Sequence, residues 1–263
     1  VRVLRILALA AGAYLLILVS SYFFQRRLQY FPDRDDPPAP EGAEDVRLDA
    51  ADGTALRAWY WPGSRAPTLL LLHGNAGHRG DRLHLADGFR ARGFGVFLLD
   101  YRGYGGSGGA PTEEGLLLDA QAAVSWLRAR GATRLAYYGE SLGCGVTAAL
   151  AARERPRGII FQSGADSLVK VAQSSFPWLP VRLFMKDRYD AAARMREVSC
   201  PVFSVHGSND TLIRPALGRA LYDASPGRHE WWLVPGASHN DIPDVAGAAF
   251  FDRLGGFLSS LDD

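Results

Sequence analysis

One nine-residue stretch limits the fold more than any other: Tyr137-Tyr138-Gly139-Glu140-Ser141-Leu142-Gly143-Cys144-Gly145. Arg134 to Tyr138 has the composition of a strand, and Leu142 to Arg153 is small and apolar enough for a buried helix. Between them sits Gly139-x-Ser141-x-Gly143. A strand that turns directly into a helix lifts the intervening serine to the top of a sheet. The turn is so sharp that a side chain two residues to either side would collide with its neighbours. The helix that follows aims its first N–H groups at the place where an oxyanion would form. Taken alone, the pattern suits a Gly-rich turn with a chance serine equally well, so the rest of the chain has to decide.

The remaining strands and helices alternate. Glu44–Asp49 and Thr54–Trp61 read as a hairpin about Ala51-Asp52-Gly53. Pro67–Leu72, Gly95–Leu99, Gly158–Phe161 and Val202–Val205 are solid apolar runs, as expected of strands covered on both faces. Arg79–Arg92, Thr112–Arg130, Pro215–Asp223 and Val245–Leu261 read as helices, and Glu230–Val234 as the last strand. This order predicts an α/β fold with a mostly parallel sheet and helices on both faces. Only Ser167–Val198 interrupts it. That segment, with Phe176-Pro177-Trp178-Leu179-Pro180 and Phe184-Met185, is long enough for a minimal cap of short helices or for a surface connection, and too short for a separate lid domain.

Ile6 to Phe24 carries no charge and is close to the ~20 residues that span a bilayer as a helix. Arg2 and Arg5 precede it, Gln25-Arg26-Arg27 follows, and Tyr14, Tyr22, Phe23 and Phe24 suit a membrane interface. The bulky far end favours an uncleaved anchor over a signal peptide, and the stretch reads as having no polar face. The expected organisation is an anchor over residues 1–27, a Pro-rich connector over 28–43 and a catalytic domain over 44–263. The protein would then be single-pass, in a bacterial inner membrane, with the side of the domain left open. The net charge of +1 gives no reason to expect nucleic acid. Two cysteines, Cys144 and Cys200, form no disulfide framework, and no Cys/His spacing suggests a metal or calls for a cofactor. Oligomeric state is not encoded legibly.

A serine becomes a nucleophile only with a base in hydrogen-bond reach and an acid to orient that base. Two later strands end in suitable loops. Pro201–Val205 leads into His206-Gly207-Ser208-Asn209-Asp210, and Trp231–Val234 leads into Pro235-Gly236-Ala237-Ser238-His239-Asn240-Asp241. Asp210 is the expected acid and His239 the expected base. Asp166 is the rival acid and His206 the rival base, the latter better placed to brace its loop. The expected oxyanion donors are the backbone N–H groups of Leu142 and Asn75, the second within His73-Gly74-Asn75-Ala76-Gly77. Glu140 reads as a hydrogen-bonding or solvent-facing residue. In Asp100-Tyr101-Arg102-Gly103-Tyr104-Gly105, Asp100 or Arg102 should tie the loop down and Tyr104 should border the pocket. No helix opens on those glycines, which argues against a dinucleotide site.

Together these motifs resemble the α/β-hydrolase superfamily, and more narrowly its membrane-anchored serine hydrolases. The resemblance runs from Leu28-Gln29-Tyr30-Phe31-Pro32 through His73–Gly77, Asp100–Gly105, Gly139–Gly143 and His206–Asp210 to Ser238–Asp241. It implies an eight-stranded sheet whose second strand is antiparallel, with Ser141, Asp210 and His239 as triad. It also implies hydrolysis of an acyl ester or thioester, with a lipidic acyl group as one option, through an acyl-enzyme. The other classes left open are a serine peptidase with the same triad and a non-catalytic membrane-anchored interaction protein.

Overall fold

A computed structural model describes residues 1–227 and 229–261. Residues 262 and 263, the end of the expected catalytic domain, lie outside the described residues. The chain opens with α1 (Arg2–Gln29) and a two-residue strand β1 (Phe31–Pro32). It continues through β2 (Glu44–Asp49), β3 (Ala55–Trp61), β4 (Arg65–Leu72), the short β5 (Ala76–Gly77), a 3₁₀ turn at Arg79–Arg82, α2 (Leu83–Arg90) and β6 (Phe94–Asp100). Then come α3 (Glu113–Ala129), β7 (Leu135–Glu140), α4 (Leu142–Glu154) and β8 (Gly158–Gln162). The segment that breaks the alternation holds three short helices, α5 (Leu168–Ser175), α6 (Val181–Phe184) and α7 (Ala191–Met195). The last third is β9 (Val202–Gly207), α8 (Pro215–Asp223), β10 (His229–Val234), α9 (Ile242–Ala246) and α10 (Ala248–Ser259).

Eight strands form one sheet in the order β10-β9-β8-β7-β4-β6-β3-β2. β3, the second of these in the chain, runs antiparallel to both neighbours, and the six strands from β6 to β10 are parallel. Their side chains build two cores because β residues alternate faces. Leu70, Leu72, Tyr137, Ile159 and Phe161 meet α3, α4, α7 and α8 on one face, while Leu69, Leu71, Tyr138, Ile160 and Phe203 meet α2, α9 and α10 on the other. With both faces covered, β4, β6, β7 and β8 can be the apolar runs that the sequence shows.

Several boundaries differ from the sequence reading. The helix expected over Arg79–Arg92 starts as a 3₁₀ turn, because the Arg79 backbone N–H and guanidinium both turn to the buried Asp100 carboxylate. The last helix is two, broken at Gly247, whose φ of 55° lies in the left-handed region that a non-Gly residue seldom occupies. α1 runs through Gln29, so Leu28 and Gln29 are helical rather than part of the connector. It is long and apolar enough to cross a membrane. Phe31–Pro32 is not free chain either. It pairs in parallel with Ala76–Gly77, and Asp36 farther along is gripped by Arg57 and Arg79. Cys144 is buried and Cys200 half-buried, both as free thiols.

Candidate active site

β7 ends at Glu140, and the next residue, Ser141, already caps α4. The chain reverses so abruptly that Ser141 takes φ 53° and ψ −115°, a strained conformation for a residue with a Cβ. Its N–H is anchored on the Gln162 carbonyl of the adjacent strand at 2.8 Å. Gly143 makes the turn possible: a Cβ there would lie 2.1 Å from the Leu72 carbonyl oxygen and 2.6 Å from that of His73, both backbone.

The two later loops converge on this serine. Gly207 closes β9 where a Cβ would meet the Ala237 and Ser238 carbonyls at 2.4 Å, so the β9 and β10 loops lie in contact. Asn209 N–H donates to Ala237 O and Ser163 Oγ to His239 O, pinning the histidine loop from both sides. As a result His239 Nε2 stands 2.9 Å from Ser141 Oγ, and His239 Nδ1 stands 2.7 Å from Asp210 Oδ2. The structure thus brings together Ser141, Asp210 and His239, from the ends of β7, β9 and β10.

The other oxygen of Asp210 accepts the N–H groups of Leu212 at 3.0 Å and Ile213 at 2.8 Å. Burial alone would raise this carboxyl. Hydrogen bonds from His206 and His239, with that of Ile213, outweigh burial and hold it well below the usual carboxylate range. An ionised carboxylate can only accept, so the His239 proton sits on Nδ1 and the lone pair of Nε2 faces the serine hydroxyl.

The rivals are engaged elsewhere. His206 is buried, with Nε2 2.8 Å from Ile213 O and 3.2 Å from Asp210, so it braces the acid's loop. Asp166 pairs with Lys170. Asp241 accepts the Ser238 N–H at 2.6 Å.

The loop bearing Asn75 is fixed from several directions. His73 Nδ1 lies 2.8 Å from Gly74 O, and burial, helped by the Arg82 charge, pushes the imidazole down to about 3, so the ring is a neutral donor. Across a trans peptide the N–H points opposite the C=O, so tying Gly74 O to His73 turns the Asn75 N–H to the other side. Asn75 O accepts from Phe31 N–H at 2.9 Å and Tyr104 Oη at 2.8 Å, and Asn75 Nδ2 donates to Gln29 O at 3.0 Å. Tyr104 is fully buried and braces this loop rather than bordering the pocket. Asp100 and Arg102 both tie down the loop between them, Asp100 through Arg79 and Arg102 through Asp119 and Asp52. Glu140 is hydrogen-bonding rather than solvent-facing. Arg82 grips its two oxygens at 2.8 and 2.9 Å and donates a third bond to Ala76 O, so the elbow and the Asn75 loop share one guanidinium.

Ser141, Leu142 and Asn75 lie on the wall of one cavity of about 460 Å³, in the size range of small-ligand sites. Its lining is overwhelmingly apolar and contains no Asp or Glu. The segment that interrupts the alternation supplies much of it, through Val171, Trp178, Leu179 and Met185, and so acts as a cap. α1 adds Ser21, Gln25, Leu28 and Gln29 to the lining. The sequence reading missed these. The signal was present: Ser21, Gln25 and Gln29 recur every four residues, which places them on one face of a helix otherwise read as having no polar face.

The chain is similar to several known proteins. A family model described as serine aminopeptidase, S33, matches residues 63–186. An uncharacterised protein of Mycobacterium tuberculosis is 37% identical over 268 residues, spanning 98% of this chain and 94% of that one. Alpha/beta hydrolase domain-containing protein 17C of Xenopus laevis is 36% identical over 202 residues, spanning 75% of this chain and 63% of that one. Among solved structures, the Pyrococcus furiosus esterase Pf2001 superimposes with a TM-score of 0.74 over 89% of this chain and 98% of its own, at 20% identity.

Proposed function

The chain belongs to the α/β-hydrolase superfamily, as its 36% identity to the Xenopus laevis α/β-hydrolase domain-containing protein shows, and from that premise we propose that it is a membrane-anchored serine hydrolase of carboxylic esters or thioesters. The observation that carries the reading is the continuous relay Ser141–His239–Asp210 opening on an apolar pocket. In this reading His239 Nε2 takes the proton from Ser141 Oγ as that oxygen attacks the acyl carbon. Asp210 keeps the imidazole in the required tautomer and stabilises the imidazolium. The N–H groups of Leu142 and Asn75 hold the developing oxyanion; losing one such donor typically costs ~3 kcal/mol of transition-state stabilisation. His239 returns the proton to the leaving alcohol or thiol. Water deprotonated by the same nitrogen then releases the acid and restores Ser141. α1 serves as a single-pass anchor.

The description of the matching family model favours one second reading, an aminopeptidase. Such an enzyme needs a carboxylate for the free amine of its substrate, and the pocket wall offers none. The deciding experiment is initial rates on butyryl and palmitoyl thioesters and on an aminoacyl amide in detergent, with Ser141→Ala as blank. Thioester turnover that disappears in the blank supports the esterase reading. Turnover of the amide alone would replace it with the peptidase, and no turnover above the blank would leave a non-catalytic membrane protein.

A further inference from the structure

α1 is more than a tether in its contacts. Tyr14, Leu18, Ser21, Gln25 and Gln29 follow one another at helical spacing and form a single stripe. All five face the body of the protein. Tyr14 Oη donates to Trp178 O at 2.8 Å, and Leu18 packs on the cap cluster of Val169, Leu179 and Val181. Ser21 lines the active-site cavity. Gln25 accepts from Lys186 N–H at 2.7 Å and donates to Phe184 O. Gln29 O receives the Asn75 side chain. The opposite face, with Leu9, Leu16 and Phe23, is exposed.

Charge is ordered along this contact. Arg26 pairs with Asp187 at 2.7 Å, and Lys186 lies 4.4 Å above the Tyr22 ring. These charges mark a headgroup level at the C-terminal end of α1. From Gln25 back to Tyr14 the helix rises about 16 Å, roughly half of a ~30 Å hydrocarbon layer. The part of the cap that reaches Tyr14, residues 173–180, carries no charge at all. It exposes Phe176 by 49% and Trp178 by 53%, a cost in water that vanishes in lipid.

We propose that the spanning helix is itself a wall of the acyl-binding pocket, with the tip of the cap immersed beside it, so that the pocket takes one acyl chain laterally from the bilayer. Ser21 is then a specificity-determining residue: its small side chain leaves room for the distal part of the chain. The proposal rests on the hydrolase reading for its substrate and on α1 for its geometry.

The test uses the full chain in phosphatidylcholine vesicles, measuring palmitoyl and butyryl thioester turnover for wild type, Ser21→Trp and Leu16→Trp. Because both rates come from one preparation, any unfolded fraction cancels in their ratio. Ser21→Trp should lower the palmitoyl-to-butyryl ratio at least tenfold, and Leu16→Trp, on the outward face, should leave it unchanged. An unchanged ratio in Ser21→Trp, with Ser141-dependent turnover intact, overturns the helix wall and spares the hydrolase reading. Loss of all Ser141-dependent turnover in the wild type removes the hydrolase reading and the acyl chain with it. Membrane placement has its own readout. Chain-brominated phosphatidylcholine should quench the fluorescence that distinguishes wild type from Trp178→Phe, and no quenching of that difference overturns the immersed cap.

Discussion

Replacing Asp210 by Asn tests the relay at its least obvious point, the proton on His239. Oδ1 of Asp210 accepts two backbone N–H groups, from Leu212 and Ile213. An amide NH₂ cannot sit there, since it would face two donors. The Asn oxygen therefore takes the Oδ1 position and its NH₂ takes that of Oδ2, 2.7 Å from His239 Nδ1, while His206 Nε2, 3.2 Å from that position, keeps the Ile213 carbonyl as its acceptor. Nδ1 then has to accept, which moves the imidazole proton to Nε2, 2.9 Å from Ser141 Oγ. An N–H aimed at the Ser141 hydroxyl cannot remove its proton. The geometry survives and the tautomer is wrong, a change that costs about 10⁴-fold in kcat in a serine protease, or about 5.4 kcal/mol at 1.36 kcal/mol per decade. Steady-state thioester hydrolysis gives the rate, and a thermal melt shows whether the variant folds. Asp166→Asn is the companion, because Asp166 pairs with Lys170 and not with a histidine; it should keep kcat within about threefold of wild type. A folded Asp210→Asn variant with more than a tenth of wild-type kcat would refute the tautomer argument, and a collapse in Asp166→Asn would move the acid to the other strand.

Three further outcomes follow from the same contacts. Gly143→Ala places a Cβ against two backbone carbonyls that cannot swing aside, so it should destabilise by about 3 kcal/mol or more, read as a lowered denaturation midpoint. Glu140→Gln replaces the charged half of the two-pronged Arg82 contact with a neutral amide and loosens the bridge between elbow and Asn75 loop. Stability should fall by about 2 kcal/mol in a urea titration, and kcat should fall more than KM rises, since the disturbed groups are those expected to meet the oxyanion. The Asp210 carboxyl is held below its unfolded value of ~3.9, so its contribution is fully present above that pH and is lost as pH falls below it. Between pH 6 and pH 3 the wild-type melting temperature should therefore drop more steeply than that of Asp210→Asn; parallel curves would show that the carboxylate gains nothing on folding.

Much of this protein was determined by short-range patterns. Apolar runs such as Leu69–Leu72 and Ile159–Phe161 fix buried parallel strands, because only a sheet covered on both faces can absorb them. The Gly139-x-Ser141-x-Gly143 turn fixes where a side chain is thrust out of that sheet. Once the strands are parallel, their carboxyl ends share one edge, so Asp210 and His239 are brought to Ser141 by topology that the sequence order already contains. Glycine positions and strand ends are local signals, and they survive without knowledge of partners.

What only the tertiary structure decided are pairings between residues far apart in the chain. Nothing local links Arg82 to Glu140, Tyr104 to the Asn75 carbonyl, or Arg79 to both Asp100 and Asp36. Each depends on two loops meeting, and a charged side chain in sequence does not announce its counter-ion. The same holds for α1. Its apolar length is legible, but a helix with an exposed apolar side and a Ser21–Gln25–Gln29 stripe can pack on lipid, on a partner or on its own domain. The choice was made by the cap, whose carbonyls and N–H groups at Phe184 and Lys186 need the partners that Gln25 supplies.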